Sequence, residues 1–369
     1  MNNDEYYQGC VVGGSVGDIV GAPVEAKSGE VCQKYLEEHV RPMDFKDVGK
    51  MRGIRDGNDP YVFGQVTDDT QLSRELLRSI VTKGEFDPED FAYRVAWLFE
   101  QDLMVGYGRT TKKAAVRLQE GVPWDKAGEG SPAAGNGSAM RAAPIGLLHF
   151  RPPQVFIPRL AIKSQYDRRE LVADAINQGI CTHRAPMCSL GSIAIAGATV
   201  LALEKRAPWK PWLTEMRKLL RLFPFETEEE KMDGGLFLRT LGKIWEMRGE
   251  PPETVLEFLL PKEEKGNPRW RGTISPYVLP SVMWALYSFL HTPKDYWETI
   301  CTAIWPGGDV DTTAAMAGAI SGAYNGLKAI PEEVAKQVHD RDLWGYQDLC
   351  NLGSLTREIW HHQKERGEK

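Results

Sequence analysis

Apolar residues recur along this chain at the spacing of a helix face. Leu72, Leu76, Leu77 and Ile80 fall on one stripe, and Phe91, Val95, Leu98 and Phe99 on another. Steps of three and four residues are those of a helix with one buried side. Alternating Val, Ile and Thr runs of the kind that build strands are scarce, and nothing repeats at a fixed period. The pattern predicts a mainly α-helical protein with long loops. From Leu203 to Gly272 the texture changes to charged, Pro-rich and turn-rich stretches such as EKRAPWKPW and FETEEEKMDGG. These predict peripheral helices and connectors laid over a core made by the two ends of the chain. The polar tail, HHQKERGEK, is expected to fray.

Glycine breaks the apolar pattern in two places, each time with period four. Gly13, Gly17 and Gly21 line one face of the first predicted helix, and Gly318, Gly322 and Gly326 one face of a late one. Interior helical glycine costs about 0.5–1 kcal/mol relative to alanine, so its repetition points to another backbone passing close by. If these two helices pack on each other, residues some 300 positions apart meet, together with whatever hangs from them.

Composition narrows the class. The 369 residues carry 45 Lys and Arg against 51 Asp and Glu, a net charge of −6. That balance does not suit a coat for nucleic acid or an anionic membrane. The six cysteines (Cys10, Cys32, Cys181, Cys188, Cys301 and Cys350) include no C-x2-C pair, which argues against a zinc ribbon. Their number in so long a chain is not a disulfide framework and fits a reducing compartment. No signal peptide opens the sequence, and the apolar stretch Gly9 to Val24 contains Asp18 and is too short to span a bilayer. These features predict a soluble cytoplasmic protein: one domain over 1–369 with a peripheral segment at about 203–272, expected to be a monomer.

The candidate chemistry is acidic. The first helix runs through Asp18 towards Glu25. A second begins Thr67-Asp68-Asp69-Thr70, and the late glycine helix begins Gly308-Asp309-Val310-Asp311-Thr312-Thr313. Either of the last two motifs alone reads as an ordinary helix start, with a capping oxygen and acids on the dipole. Together they hold more acid than capping needs. Carboxylates and hydroxyls are the ligands of hard divalent cations. If Glu25, Asp68, Asp69, Asp309 and Asp311 converge, that crowd cannot stay ionised unpaired without large upward pKa shifts. Two Mg²⁺ would nearly balance it, and no histidine is needed, which argues against zinc.

Two glycine-rich loops accompany these motifs. In Gly135-Asn136-Gly137-Ser138-Ala139-Met140-Arg141 the Gly and Asn residues permit positive φ, so amides can turn towards one point. Ser138 is expected to cap a following helix whose N-terminus would accept an anion. Gly106-Tyr107-Gly108-Arg109 is a second flexible loop with an aromatic. His183, at a predicted helix start, reads from its residues alone as either a core or capping histidine or a ligand-binding one.

The motifs G-D-x-x-G-x-x-x-E, T-D-D-T, G-N-G-x-A-M-R, T-H and G-G-D-x-D-T occur in this order. This set resembles the ADP-ribosylglycohydrolase (DraG-like ADP-ribosylhydrolase) family over Gly9 to about Gly326. The resemblance implies an all-α fold, a compact orthogonal helical bundle, with a binuclear Mg²⁺ site that Mn²⁺ can also fill. It implies a metal-ligand set of Thr67, Asp68, Asp69, Asp309, Asp311, Thr312 and Glu25, the last on a mobile loop near the metals. Catalytic roles fall to Glu25, Asp311 and Asp69. Substrate contacts are implied for Gly106, Tyr107, Gly108, Asn136, Gly137, Ser138 and His183, the last three near the diphosphate and its ribose. Asp18 is expected to hold the loop that carries Glu25.

The implied reaction is hydrolysis at C1 of the distal ribose in an ADP-ribosylated protein or small conjugate. Members acting on arginine-linked ADP-ribose tend to have Asp-Ile-Gly where this chain has Gly106-Tyr107-Gly108, and the loop is more similar to the branch that cleaves serine-linked ADP-ribose and O-acetyl-ADP-ribose. Arginine- or nucleic-acid-linked ADP-ribose stands as the alternative substrate, and a non-catalytic ADP-ribose binder or structural homologue as the alternative class.

Overall fold

The computed structural model describes residues 4–48, 62–150, 167–205, 210–260 and 268–365. Among them the chain forms seventeen α-helices, short 3-10 turns and two ribbons of two-residue strands. The predicted all-α class holds.

Helices form where the periodicity placed them. Asp68–Lys83 starts at Thr67, whose side chain accepts from the Asp69 amide, and stops at Gly84 in the left-handed region, the usual chemistry of both ends. Its apolar stripe is buried, as is that of Pro88–Glu100 apart from a partly buried Phe99. Pro186–Leu203 is the one helix among the described residues long and apolar enough to cross a membrane. It is almost wholly buried against Arg168–Ile180, Ala143–His149, Val278–His291 and Val310–Asn325, and is the central strut of the core.

The glycine faces meet. Asp4–Gly21 and Val310–Asn325 form the most extensive helix pair of the fold. A Cβ on Gly9 would lie 2.5 Å from the Gly322 carbonyl oxygen, and one on Gly13 2.5 Å from that of Gly318. Contacts this short leave room for nothing larger than glycine, so backbone rests on backbone. Gly326 departs from the expectation: it lies just beyond the helix at φ +87° and ends it.

The charged segment is amphipathic rather than loose. Lys210–Leu220, Glu228–Met247 and Pro252–Leu259 bury Trp212, Phe237, Leu241, Ile244 and Val255, with Trp212 and Trp245 stacked at 5.6 Å. Tyr346–Glu365 is helical, anchored ahead of the polar tail by buried Leu349, Leu352 and Ile359. Residues 366–369 lie outside the described part.

Candidate functional site

The seam ends at the acidic motifs. Gly21 closes the first helix directly against the Asp311 backbone. Beyond a 3-10 turn at Ala22–Val24, the chain bears Glu25 and then pairs as Lys27–Ser28 with Gly307–Gly308. The Ala26 amide donates to the Gly308 carbonyl at 2.7 Å. On the other side of the same strand, the Ile274 amide donates to Gly307 and the Asp309 amide to the Ile274 carbonyl. Both glycines have positive φ, and a Cβ on Gly307 would lie 2.6 Å from the Lys27 carbonyl oxygen. The Gly-Gly pair is therefore what lets the Lys27–Ser28 strand and the backbone of Ile274 clasp the loop that carries Asp309.

The acids converge. Oxygens of Glu25, Asp309 and Asp311 lie within 4.8 Å of one another. The Thr312 hydroxyl donates to Asp69 Oδ2 at 3.3 Å, joining motifs 243 residues apart. Asp69 Oδ1 is buried with no hydrogen-bond partner. Burial first, then the charges of Asp18, Asp68, Asp311 and Asp309, push the Asp69 carboxyl well above the usual range. Such a group needs a proton or a cation. The orphaned oxygen, the crowding and an all-oxygen donor set fit a hard divalent ion.

Asp18 reaches the second acidic motif. Its carboxylate accepts from the Thr67 amide (2.9 Å) and hydroxyl (2.8 Å), and from the Thr70 amide (3.2 Å) and hydroxyl (2.6 Å). It fixes the start of the Asp68–Lys83 helix. Thr67 consequently stands behind the cluster, its hydroxyl within reach of both Asp18 and Asp69.

A cleft of about 590 Å³ opens over the acids, within the range of small-ligand sites. Glu25, Asp68, Asp69, Asp309, Asp311 and Thr312 line it, as do Gly106, Gly108, Asn136, Gly137 and His183. Three expected residues do not. Thr67 stands behind the acids, its hydroxyl on Asp18 and Asp69. The Tyr107 ring packs edge-on against Phe99, 4.8 Å away, with the Lys112 ammonium over its face. Ser138 is fully buried and donates to the Cys188 carbonyl. It caps no helix: the next one starts at Ala143 without a side-chain cap.

The glycine loop works differently from its expected role. Neither Gly135 nor Gly137 has positive φ. A Cβ on Gly137 would lie 2.6 Å from His183 Cε1, so the glycine makes room for the imidazole. Asn136 donates to Asp309 Oδ2 at 2.6 Å and to the Ser281 hydroxyl at 2.8 Å, aiming the acid rather than reaching out. His183 holds Thr182 Oγ1 through Nδ1 at 2.8 Å. Burial, then the Arg141 charge, drops its pKa to about 3, so it faces the cleft as a neutral group.

Arg269 and Trp270 also line the cleft. They belong to the segment expected to be peripheral, whose C-terminal end thus reaches the site. Arg269 lies 4.0 Å from a Glu25 oxygen, with its guanidinium 4.8 Å from the Trp270 ring centroid. The signal was PRWRG, an Arg/Trp-rich patch at the end of that segment.

A metal-competent acidic cleft at the end of a glycine-seamed helix pair defines a class, and comparison with known proteins gives it a family. The ADP-ribosylglycohydrolase family model matches residues 2–368, and the chain belongs to that family. It is 26% identical to ADP-ribosylhydrolase ARH3 of Xenopus tropicalis, over 96% of this chain and 95% of that one. It is also 26% identical to ADP-ribosyl-[dinitrogen reductase] glycohydrolase of Rhodospirillum rubrum, over 88% and 86%. A solved ADP-ribosylglycohydrolase-related protein complex shares the fold, with a TM-score of 0.61 at 22% identity over 97% of this chain and 98% of that one.

Proposed function

We propose that this chain is a divalent-metal-dependent hydrolase that releases ADP-ribose from serine-linked or O-acetyl conjugates by cleaving the glycosidic bond at C1 of the distal ribose. The observation that carries the reading is the convergence of Glu25, Asp309 and Asp311 around one point, beside a buried Asp69 oxygen with no partner. Asp68, Asp69, Asp309, Asp311, Thr312 and Thr67, through the hydroxyl lone pair that its hydrogen bond leaves, would hold two Mg²⁺. Bound there, the ions offset the carboxylate charge, fix ribose hydroxyls and lower the pKa of a nearby water.

Glycosidic cleavage develops positive charge at C1 and the ring oxygen. Glu25, on its own short segment at the mouth of the cluster, stabilises that charge. Asn136 keeps Asp309 turned towards the sugar. His183, neutral at working pH, offers Nε2 to the ribose or diphosphate without adding charge. The glycine backbone at 106 and 108 leaves the cleft wall without a carboxylate where an arginine acceptor would want one, which supports the serine or O-acetyl linkage. Arginine-linked ADP-ribose is the competing substrate.

The test is ADP-ribose release from matched serine-linked and arginine-linked peptides and from O-acetyl-ADP-ribose, with Mg²⁺ and with EDTA. Metal-dependent release from the serine-linked peptide or O-acetyl-ADP-ribose is expected. Release only from the arginine-linked peptide would reverse the linkage, and release unaffected by EDTA would refute the metal reading.

A further inference from the structure

We infer that Arg269, braced by Trp270, is a specificity-determining residue that selects against a cationic acceptor at the leaving-group side of the cleft. The inference rests on the reaction proposed above and deepens it. Contacts order the site. Asn136 of the glycine loop reaches Asp309 at 2.6 Å, Asp309 shares a cluster of 4.8 Å with Glu25, and Glu25 meets Arg269 at 4.0 Å. Placing the diphosphate of a conjugate beside Gly137 and His183 sets its C1 over the acids. Its acceptor then falls beyond them, against Glu25 and Arg269.

Arg269 occupies the position that a substrate guanidinium would take against Glu25. A serine acceptor presents a neutral oxygen there. In the cleavage, the oxygen of water bonds C1, the C1–Oγ bond breaks, and the proton from water ends on the seryl oxygen. Negative charge builds on that oxygen as the bond breaks, and a nearby guanidinium stabilises it. An arginine acceptor brings a positive charge that Arg269 repels, and Arg269 stands 4.0 Å from the acid that such an acceptor would approach. Both effects have the same sign.

The Trp270 ring beneath the guanidinium restricts its freedom to swing away. Arg109, the other cation lining the cleft among the described residues, stands at the start of its helix within the field of Glu129, so Arg269 is the cation set against Glu25. Its side chain is 45% exposed, which lets solvent moderate the effect.

Arg269→Ala, Arg269→Lys and Arg269→Glu enzymes are compared with the wild type for kcat/KM on the matched peptides, and for ADP-ribose affinity by calorimetry. The wild type favours the serine-linked peptide. Its preference over the arginine-linked peptide should fall about tenfold in Arg269→Ala, further in Arg269→Glu, and persist in Arg269→Lys. ADP-ribose, which lacks the acceptor, should bind all four within about twofold of one another. A preference unmoved in Arg269→Glu overturns the inference and leaves the reaction standing. So does a loss of about tenfold or more in ADP-ribose affinity in Arg269→Ala, which would assign Arg269 to the diphosphate. A wild type that prefers the arginine-linked peptide overturns it too. Release from no conjugate by the wild type overturns the proposed reaction and the inference together.

Discussion

Replacing Gly21 with alanine should disable the site while leaving the fold largely in place. A methyl carbon at this position would lie 2.5 Å from Asp311 Cα, 2.7 Å from the Asp311 amide nitrogen and 2.7 Å from the Val310 carbonyl oxygen. Non-bonded carbons settle at about 3.5–4.0 Å, so the backbone around Asp311 must retreat by about 1 Å. In an open helix the same substitution stabilises by about 0.5–1 kcal/mol. Here overpacking against backbone costs about 1–3 kcal/mol and reverses the sign. The chemical loss is larger, because a shift of about 1 Å in a catalytic group costs on the order of 100-fold in rate. Turnover of the preferred conjugate at saturating Mg²⁺, measured beside thermal melting, separates the two effects. Gly249→Ala is the control, since nothing lies within 4 Å of a Cβ there, and its stability should stay within about 0.5 kcal/mol of the wild type. Wild-type turnover in Gly21→Ala would refute the reasoning. So would a loss of turnover no greater than the loss of folded protein.

Three further outcomes follow from the buried groups. Asp18→Ala strips a buried acceptor from four donors on Thr67 and Thr70 and should cost roughly 3–5 kcal/mol; urea unfolding within about 1 kcal/mol of the wild type would contradict its role. Asp69 is held well above the usual carboxylate range, so folding favours its protonated form and the metal-free protein loses stability as pH rises past the unfolded value. Metal-free Asp69→Asn should therefore melt above the metal-free wild type at pH 7 and gain less from Mg²⁺, and the opposite order would refute this. His183 sits at about 3 in the fold against about 6.5 unfolded, so its stabilising effect is full above the unfolded value and is lost as pH falls. Between pH 7 and 5 that loss is about 2 kcal/mol and should vanish in His183→Asn; equal losses in both proteins would count against a buried neutral imidazole.

Local periodicity carried most of the fold. The stripe Leu72, Leu76, Leu77 and Ile80 needs only its own helix to be read, and the glycine faces announced a close partner because nothing else repays their cost. The convergence of the acids was legible as an excess over what helix capping requires. Side-chain direction in loops was not. Tyr107 and Ser138 sit in motifs that face the cleft, yet their own side chains answer to Phe99 on the preceding helix and to the Cys188 carbonyl 50 residues on. Asp18 looked local to Glu25 but satisfies donors 49 and 52 residues on. Arg269 and Trp270 were hidden by their surroundings, because a charged, Pro-rich stretch has the composition of a surface whether or not its end turns back into a site.

The glycine seam also sets a timetable. Glu25 and Asp311 are 286 positions apart, and at about 5–20 residues per second the ribosome needs roughly 15–60 s to pass from one to the other. Until then the early carboxylates stand alone, without the neighbours that make them costly or able to bind a divalent ion. The crowding arises only when the late helix slides onto the first, after the intervening helices already exist as a scaffold. Assembly of the acidic cluster therefore waits until Asp311 has been made, and a protein truncated before residue 310 would lack Asp311, Thr312 and the helix that brings them to Glu25 and Asp69.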